Sequence, residues 1–198
     1  MSNAQSTTSP QQIIICGGGV IGACIAYYLS RHPQRADSAI TVVERTGVAN
    51  ASSGKSGGFL ALDWCRGTPV DALARRSFAL HAELAATLTA ELNLAWGYRP
   101  IDTLSVVASE GRDLSRMGHL PTPSWLGQKT AVHSRLGDEQ TTAQIDPAAF
   151  TRSMMQAAQA HGVQLRQGTV EGVTFADDGQ QITGVQIDGE TVAADAVV

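Results

Sequence analysis

Apolar residues along this chain fall into short unbroken runs, helically spaced stripes and alternating stretches, and each kind predicts a different element. Ile13-Ile14-Ile15-Cys16 is an unbroken run that stops at three glycines, as a strand buried on both faces would. From Val20 to about His32 the spacing turns helical, with Ile21, Ile25, Tyr28 and Leu29 recurring along one stripe. His32-Pro33 ends that pattern, because a residue before proline avoids the α region. Ile40-Thr41-Val42-Val43 is then a second buried strand. Strand, helix and strand form a βαβ unit of roughly 30 residues, the size expected for a right-handed crossover.

Ala49 to Gly58 is a Ser/Gly-rich loop, after which Thr68-Pro69-Val70-Asp71 predicts a helix with a hydroxyl cap, proline at its first position and an early acid. Leu73, Leu80, Leu84, Leu88 and Leu92 form its core stripe. Trp96 to Ala108 reads as one or two strands and Pro121-Thr122-Pro123 as a surface loop. Asp146-Pro147 opens a helix from Ala148 to about His161, closed by Gly162 where a left-handed backbone is favoured. Val163 to Arg166 predicts a strand. The runs Val170 to Phe175, Gln181 to Ile187 and Thr191 to Val198, separated by Asp177-Asp178-Gly179 and Asp188-Gly189, predict a three-stranded β-meander.

Composition supports a folded chain: 198 residues with 43% apolar and 16% charged content can bury a substantial core. A net charge of -4 with scattered basic residues argues against a nucleic-acid surface or an acidic membrane surface. Cys16, Cys24 and Cys65 show no CxxC or Cys/His ligand spacing, so neither a disulfide framework nor a metal site is indicated, and a reducing compartment is the simpler expectation. His32, His81, His119, His133 and His161 likewise have no ligand spacing and read as surface or helix-end residues. Residues 1–12 are polar, with neither the apolar core of a signal peptide nor the arginines of a transit peptide, and are read as a disordered lead-in. No run of 18 apolar residues is present, so no membrane span is expected, and a cytoplasmic location follows only from these missing signals.

The glycines carry the first functional signal. Gly17-Gly18-Gly19-Val20-Ile21-Gly22 fits G-x-G-x-x-G between a strand and a helix: Gly17 permits a tight turn, Gly19 lets a pyrophosphate approach the backbone, and Gly22 lets the helix pack on the sheet. The first helical N–H groups, those of Val20 and Ile21 among them, then face the phosphates with the positive end of the helix dipole. Glu44 stands at the end of the second strand, 22 residues after Gly22, placed to accept hydrogen bonds from the two ribose hydroxyls of an adenosine half. Its charge would repel a 2′-phosphate, which disfavours NADP. The glycine pattern alone leaves FAD and NAD open; a helix at Asp146, a third strand at Val163 and then a meander favour FAD, with NAD the lesser option.

Taken together, IIICGGGVIGACIAYYLS, the acid in VVER, the loop ANASSGKSGGFLA, the segment IDPAAFTRSMMQAAQAHGVQL and the terminal meander resemble the FAD-dependent amine and amino-acid oxidase family, which includes glycine, sarcosine and D-amino-acid oxidases. The SGKSGG loop followed by a leucine-rich helix is most similar to a little-characterised eukaryotic branch of oxidoreductases. The likeness implies an α/β fold: an FAD/NAD(P)-binding Rossmann-like domain with a β-meander, made of 13–59 and 146–198 and incomplete at its C-terminus. Residues 60–145 would form part of an inserted α+β substrate domain.

By the same resemblance, Gly17, Gly19 and Gly22 would hold the FAD pyrophosphate, Glu44 the adenosine ribose, and Arg45 would lie near the adenine. Ser52, Ser53, Gly54, Lys55, Ser56, Gly57 and Gly58 match the loop that runs along the pyrophosphate toward the flavin, and Val170 matches the position whose backbone meets the adenine. Lys55 reads either as a cation that offsets phosphate or flavin charge or as a solvated loop lysine.

The activity implied for the full-length parent is oxidation of a small-molecule amine or amino-acid-like substrate, by hydride transfer from a carbon beside nitrogen to the flavin. No residue stands out as a catalytic acid or base, as expected where the cofactor carries the reactivity. Family members run well beyond this length, and a sheet ending in its last buried strand leaves unpaired backbone, so the chain is expected to be a fragment, a truncated isoform or the translation of an incompletely delimited gene. A non-catalytic protein or interaction module that keeps the fold is the second expectation, and an NAD-dependent dehydrogenase the third.

Overall fold

The structure, a computed structural model, describes residues 12–35, 38–114 and 120–198. The lead-in expected over 1–12 therefore lies outside the described residues apart from Gln12, and so does His119. In chain order the elements begin with β1 (Gln12–Cys16), α1 (Val20–Ser30), a 3-10 turn at Pro33–Arg35, β2 (Ala39–Glu44), a second 3-10 turn at Ser52–Gly54, and β3 (Phe59–Ala61). Then follow α2 (Asp71–Leu92), β4 (Arg99–Pro100), β5 (Thr103–Ala108), β6 (Thr130–Gly137), β7 (Thr142–Gln144) and α3 (Pro147–Ala160). The chain finishes with β8 (Gln164–Gln167), β9 (Val170–Phe175), β10 (Ile182–Ile187), β11 (Glu190–Ala193) and β12 (Ala196–Val197).

Two compact units emerge, one of Met1–Gly57, Leu92–Trp96 and Pro147–Val198, the other of Gly58–Glu91 and Gly97–Asp146. In the first, four parallel strands lie in the order β12-β1-β2-β8, with Ile14 opposite Thr41 and Val42 opposite Leu165. The antiparallel β9-β10-β11 meander turns between its last two strands at Asp188 (φ 50°) and Gly189 (φ 82°), the paired left-handed backbone that a two-residue hairpin needs. Ile14, Val43, Val185, Ile187 and Ala194 form a buried cluster shared by the parallel sheet and the meander. About 25 cal/mol per Å² of apolar surface removed from water is the scale of the force holding such a cluster together.

Helix α1 forms where expected, but Ile21 and Tyr28 of the predicted stripe do not supply its buried face. Ile21 is 72% exposed and Tyr28 46%, whereas Gly22, Ala23, Ala26, Tyr27 and Ser30 are buried. Small side chains bring α1 close to α3, whose Phe150, Met154, Met155, Ala157 and Ala158 are buried. Close approach of two elements selects for small residues, a signal that a count of large apolar residues passes over. Trp96 packs edge-on against Phe150, with ring centroids 5.4 Å apart.

Other expectations need correction. Helix α2 starts at Asp71, so Pro69 precedes it, and the Thr68 hydroxyl donates to the Cys65 carbonyl at 2.7 Å rather than capping the helix. Within the predicted stripe Leu84 and Leu88 are buried, yet Leu73 at the first turn is 70% exposed. The last apolar run is two strands in two sheets: β11 pairs with β10, and after Ala194-Asp195 the chain crosses so that Ala196 and Val197 pair with Ile13 and Ile14 of β1. Asp195 fixes that crossing, its amide donating to the Gln12 carbonyl at 2.9 Å and its Oδ2 accepting from the Gln12 amide at 2.8 Å.

In the second unit β3-β7-β4 form an antiparallel sheet and β5-β6 a two-stranded ribbon. Strands β6 and β7 went unpredicted because polar Thr, His, Ser, Arg and Gln residues interrupt their apolar pattern. Buried Thr142 belongs there because its hydroxyl donates to the Ile101 carbonyl at 2.7 Å. No described helix is long and apolar enough to cross a membrane.

Candidate functional site

The site is built at the carboxyl ends of β1 and β2, where the chain leaves each strand into a loop. Gly17 takes φ 115°, a conformation costly for any residue with a Cβ, and its amide donates to the Val43 carbonyl at 2.8 Å, tying the start of the glycine turn to β2. Helix α1 begins at Val20 with extended Gly19 as its N-cap and no cap from that residue's side chain, and its first turn holds no acidic residue. Its N-terminal N–H groups and positive dipole end therefore face the turn without a carboxylate of their own. The Ser53 hydroxyl, delivered by the Ser52–Gly54 turn, accepts from the Val20 amide at 3.0 Å.

Glu44 closes β2 and reaches back over the glycines. Its Oε2 accepts from the Gly18 amide at 2.7 Å, and its Oε1 accepts from the Thr46 amide at 2.9 Å, the Thr46 hydroxyl at 3.2 Å and the Gly47 amide at 3.2 Å. Partial burial pushes this carboxyl up, and the donors at Thr46, Gly18 and Gly47 more than reverse it, leaving it below the ordinary carboxylate value. Among the described residues no group of three or more His, Cys, Asp or Glu could hold a metal ion.

Two grooves meet at Cys16 and Gly17. One, of about 290 Å³, runs along the start of α1 and is lined by Gly19, Val20, Ile21, Gly22, Ile25 and Ser53 besides that pair. The other, of about 420 Å³, runs over the ends of β1 and β2 past Glu44, Arg45, Thr46, Thr169 and Val170. Of the residues singled out from sequence, Gly17, Gly19, Val20, Ile21, Gly22 and Ser53 thus line the first groove, and Gly17, Glu44, Arg45 and Val170 the second. Ser52, Gly54, exposed Lys55, Ser56 and Gly57 continue the loop without lining either, and Gly58, with φ 67°, belongs to the second unit.

Several residues at the grooves were passed over. Cys16 borders both, with burial pushing its thiol up. Thr46 and Gly47 hold Glu44. Gly168 donates to the Glu44 carbonyl at 3.0 Å, and a Cβ there would lie 2.7 Å from Ile187 Cγ2, so packing demands glycine. Its position between two β runs was the available signal. Nothing in the local pattern marks Thr46.

Residues 12–198 match the family described as DAO, FAD dependent oxidoreductase. An oxidoreductase of Schizosaccharomyces pombe is 34% identical over 155 residues, covering 76% of this chain and 39% of its own length. The crystal structure of glycine oxidase from Bacillus cereus superposes with a TM-score of 0.70 at 21% identity, covering 96% of this chain and 56% of that one. Iminodiacetate oxidase from Chelativorans superposes with a TM-score of 0.67 at 16% identity, covering 93% of this chain and 53% of that one. At these identities the structural likeness is one of fold, and the chain spans about half or less of the length of the proteins it matches. With the glycine turn, Glu44 and the β-meander in the arrangement described, and the match running from Gln12 to Val198, this chain belongs to the DAO family of FAD-dependent oxidoreductases.

Proposed function

We propose that this chain is the dinucleotide-binding part of a flavoenzyme that oxidises an amine or amino-acid substrate, with 13–59 and 146–198 forming the FAD-binding domain and 60–145 contributing to the substrate domain. The observation that carries the reading is the meeting of two grooves at Gly17, one along the N-terminus of α1 and the other past the Glu44 carboxylate. An extended dinucleotide has a doubly anionic centre and a ribose beside it, and these grooves offer a helix N-terminus free of acidic residues on one side of the open space at Gly17 and a carboxylate on the other. The residues present therefore fit FAD.

In this reading Gly17 and Gly19 admit the pyrophosphate to the backbone, the Ile21 amide donates to it, the Val20 amide joins by exchanging its Ser53 partner for a phosphate oxygen, and Gly22 keeps the helix close enough for them to do so. Glu44 accepts from the ribose, Arg45 and Val170 border the adenine, and the loop Ser52, Ser53, Gly54, Lys55, Ser56, Gly57 and Gly58 leads toward the flavin. Bound FAD supplies the two-electron acceptor for breaking a C–H bond beside nitrogen. The protein's share is to bind, orient and exclude water. The substrate class rests on the names of the structural relatives, glycine oxidase and iminodiacetate oxidase, whose namesakes both carry carbon bonded to nitrogen.

The test is the visible absorption spectrum of the purified 198-residue chain after incubation with FAD and removal of free ligand, followed by release and identification of the bound cofactor. A protein-bound flavin spectrum is the expected result. A folded chain that takes up no FAD, or that retains NAD instead, overturns the proposal.

A further inference from the structure

An ionised carboxylate has about four acceptor positions, two on each oxygen. Oε1 of Glu44 already receives three donors, the amide and hydroxyl of Thr46 and the amide of Gly47, while Oε2 receives one, the Gly18 amide. Among the described residues Oε1 is thus the more heavily engaged oxygen and Oε2 the freer acceptor. The stem of Glu44 also lies over Gly18, where a Cβ would come within 3.1 Å of Cγ, so the side chain has little freedom to swing away from the glycine turn.

We infer that Thr46 is a positioning residue for the dinucleotide: with the Gly47 amide it holds Oε1, and so turns Glu44 to leave Oε2, which carries one donor from the glycine turn, toward the ribose. This deepens the FAD reading above and rests on it. A consequence follows from the geometry. The grip on the ribose and the shape of the glycine turn share one carboxylate, so whatever loosens Oε1 disturbs both. Thr46 suits this role because it borders the groove on each side of Glu44 and is itself exposed, so its hydroxyl is not held there by burial. The other charged or titratable side chains bordering those two grooves are Arg45, Cys16 on β1, and Arg166 on β8, which pairs with Glu190 at 3.3 Å.

Thr46→Val keeps the shape and the backbone amide and removes only the hydroxyl donor. The first readout needs no ligand: the side-chain carboxyl of Glu44, titrated by carbon NMR in the 198-residue chain, is expected to move to a higher midpoint in Thr46→Val and to return in Thr46→Ser. The second is FAD titration followed by flavin fluorescence, in which Thr46→Val should bind about three- to tenfold more weakly at neutral pH, the fold-change of one hydrogen bond. The acid limit of binding should move to higher pH along with the Glu44 midpoint. An unmoved Glu44 midpoint, or valine and wild-type chains with equal FAD affinity, overturns the inference. A wild-type chain that binds no FAD overturns the reading of the site instead. Should the valine variant fail to fold, Thr46→Ala carries the same comparison.

Discussion

The α-carbon of Gly22 faces the carbonyl oxygen of Gly17 so closely that a Cβ on residue 22 would overlap it and also come within 3.3 Å of Ile15 Cγ2. One glycine of the motif thus exists to accommodate the backbone of another, and the seating of α1 on β1 depends on it. Gly22→Ala sets two effects in opposition. Alanine favours a helix by up to about 1 kcal/mol over glycine, whereas overpacking costs about 1–3 kcal/mol. Because the obstacle is backbone, overpacking is expected to win, giving a net loss of about 1–2 kcal/mol in urea unfolding. A variant as stable as wild type, with unchanged FAD uptake, would show that α1 shifts freely.

Ser53 is the partner that the Val20 amide finds outside its own helix. Ser53→Ala should cost about 0.5–2 kcal/mol, the range of a lost helix cap. The groove is open at this point, so water can replace part of the bond and the loss belongs at the lower end of that range. Urea midpoints decide it, and an unchanged midpoint would mean the hydroxyl contributes nothing to the helix start.

Glu44 gives the stability a definite sign with pH. Its folded carboxyl lies below the ordinary value of 4.5, so its contribution is complete above that value and is lost as pH falls through the lower, folded one. Glu44→Gln removes this titration and sets an amide NH2 against one of the backbone donors. The variant should therefore be less stable at neutral pH, and its deficit should shrink as pH falls below about 4.5. Paired unfolding curves at the two ends of that range test this. A deficit that grows on acidification would mean Glu44 is not the group titrating.

Cys24, half-buried in α1, has its thiol pushed up to about 11 by burial. At about pH 8 only about one thousandth of it would be thiolate, the form that reacts. Alkylation with iodoacetamide should label Cys16, exposed at the junction of the grooves, well before Cys24. Peptide mass spectrometry over time measures both rates. Equal rates would show that α1 opens on the labelling timescale.

Much of the framework around the grooves was legible in the chain because its determinants are local. The run Ile13 to Cys16, the glycines that interrupt it, the break at His32-Pro33, the stop at Gly162 with φ 88° and the Asp188-Gly189 turn each state their conformation within a few residues. Glu44 was legible through its distance from the glycines. Its engagement was not: the bonds to Gly18, Thr46 and Gly47 depend on how β2 ends beside β1, and Thr46 belongs to no recognisable pattern.

By itself the sequence determined where strands and helices begin and end around the βαβ unit, since φ restrictions at glycine and proline and the period of apolar residues act over a single element. Only the tertiary structure decided which face of α1 is buried, where Gly22, Ala23 and Ala26 outcompete Ile21 and Tyr28 because a second helix approaches. It also decided that the last apolar run divides, Ala193 ending one sheet and Ala196 joining another beside Ile13. Both outcomes turn on pairings between residues far apart in the chain, which no local pattern encodes because the partner's position exists only once the fold has formed.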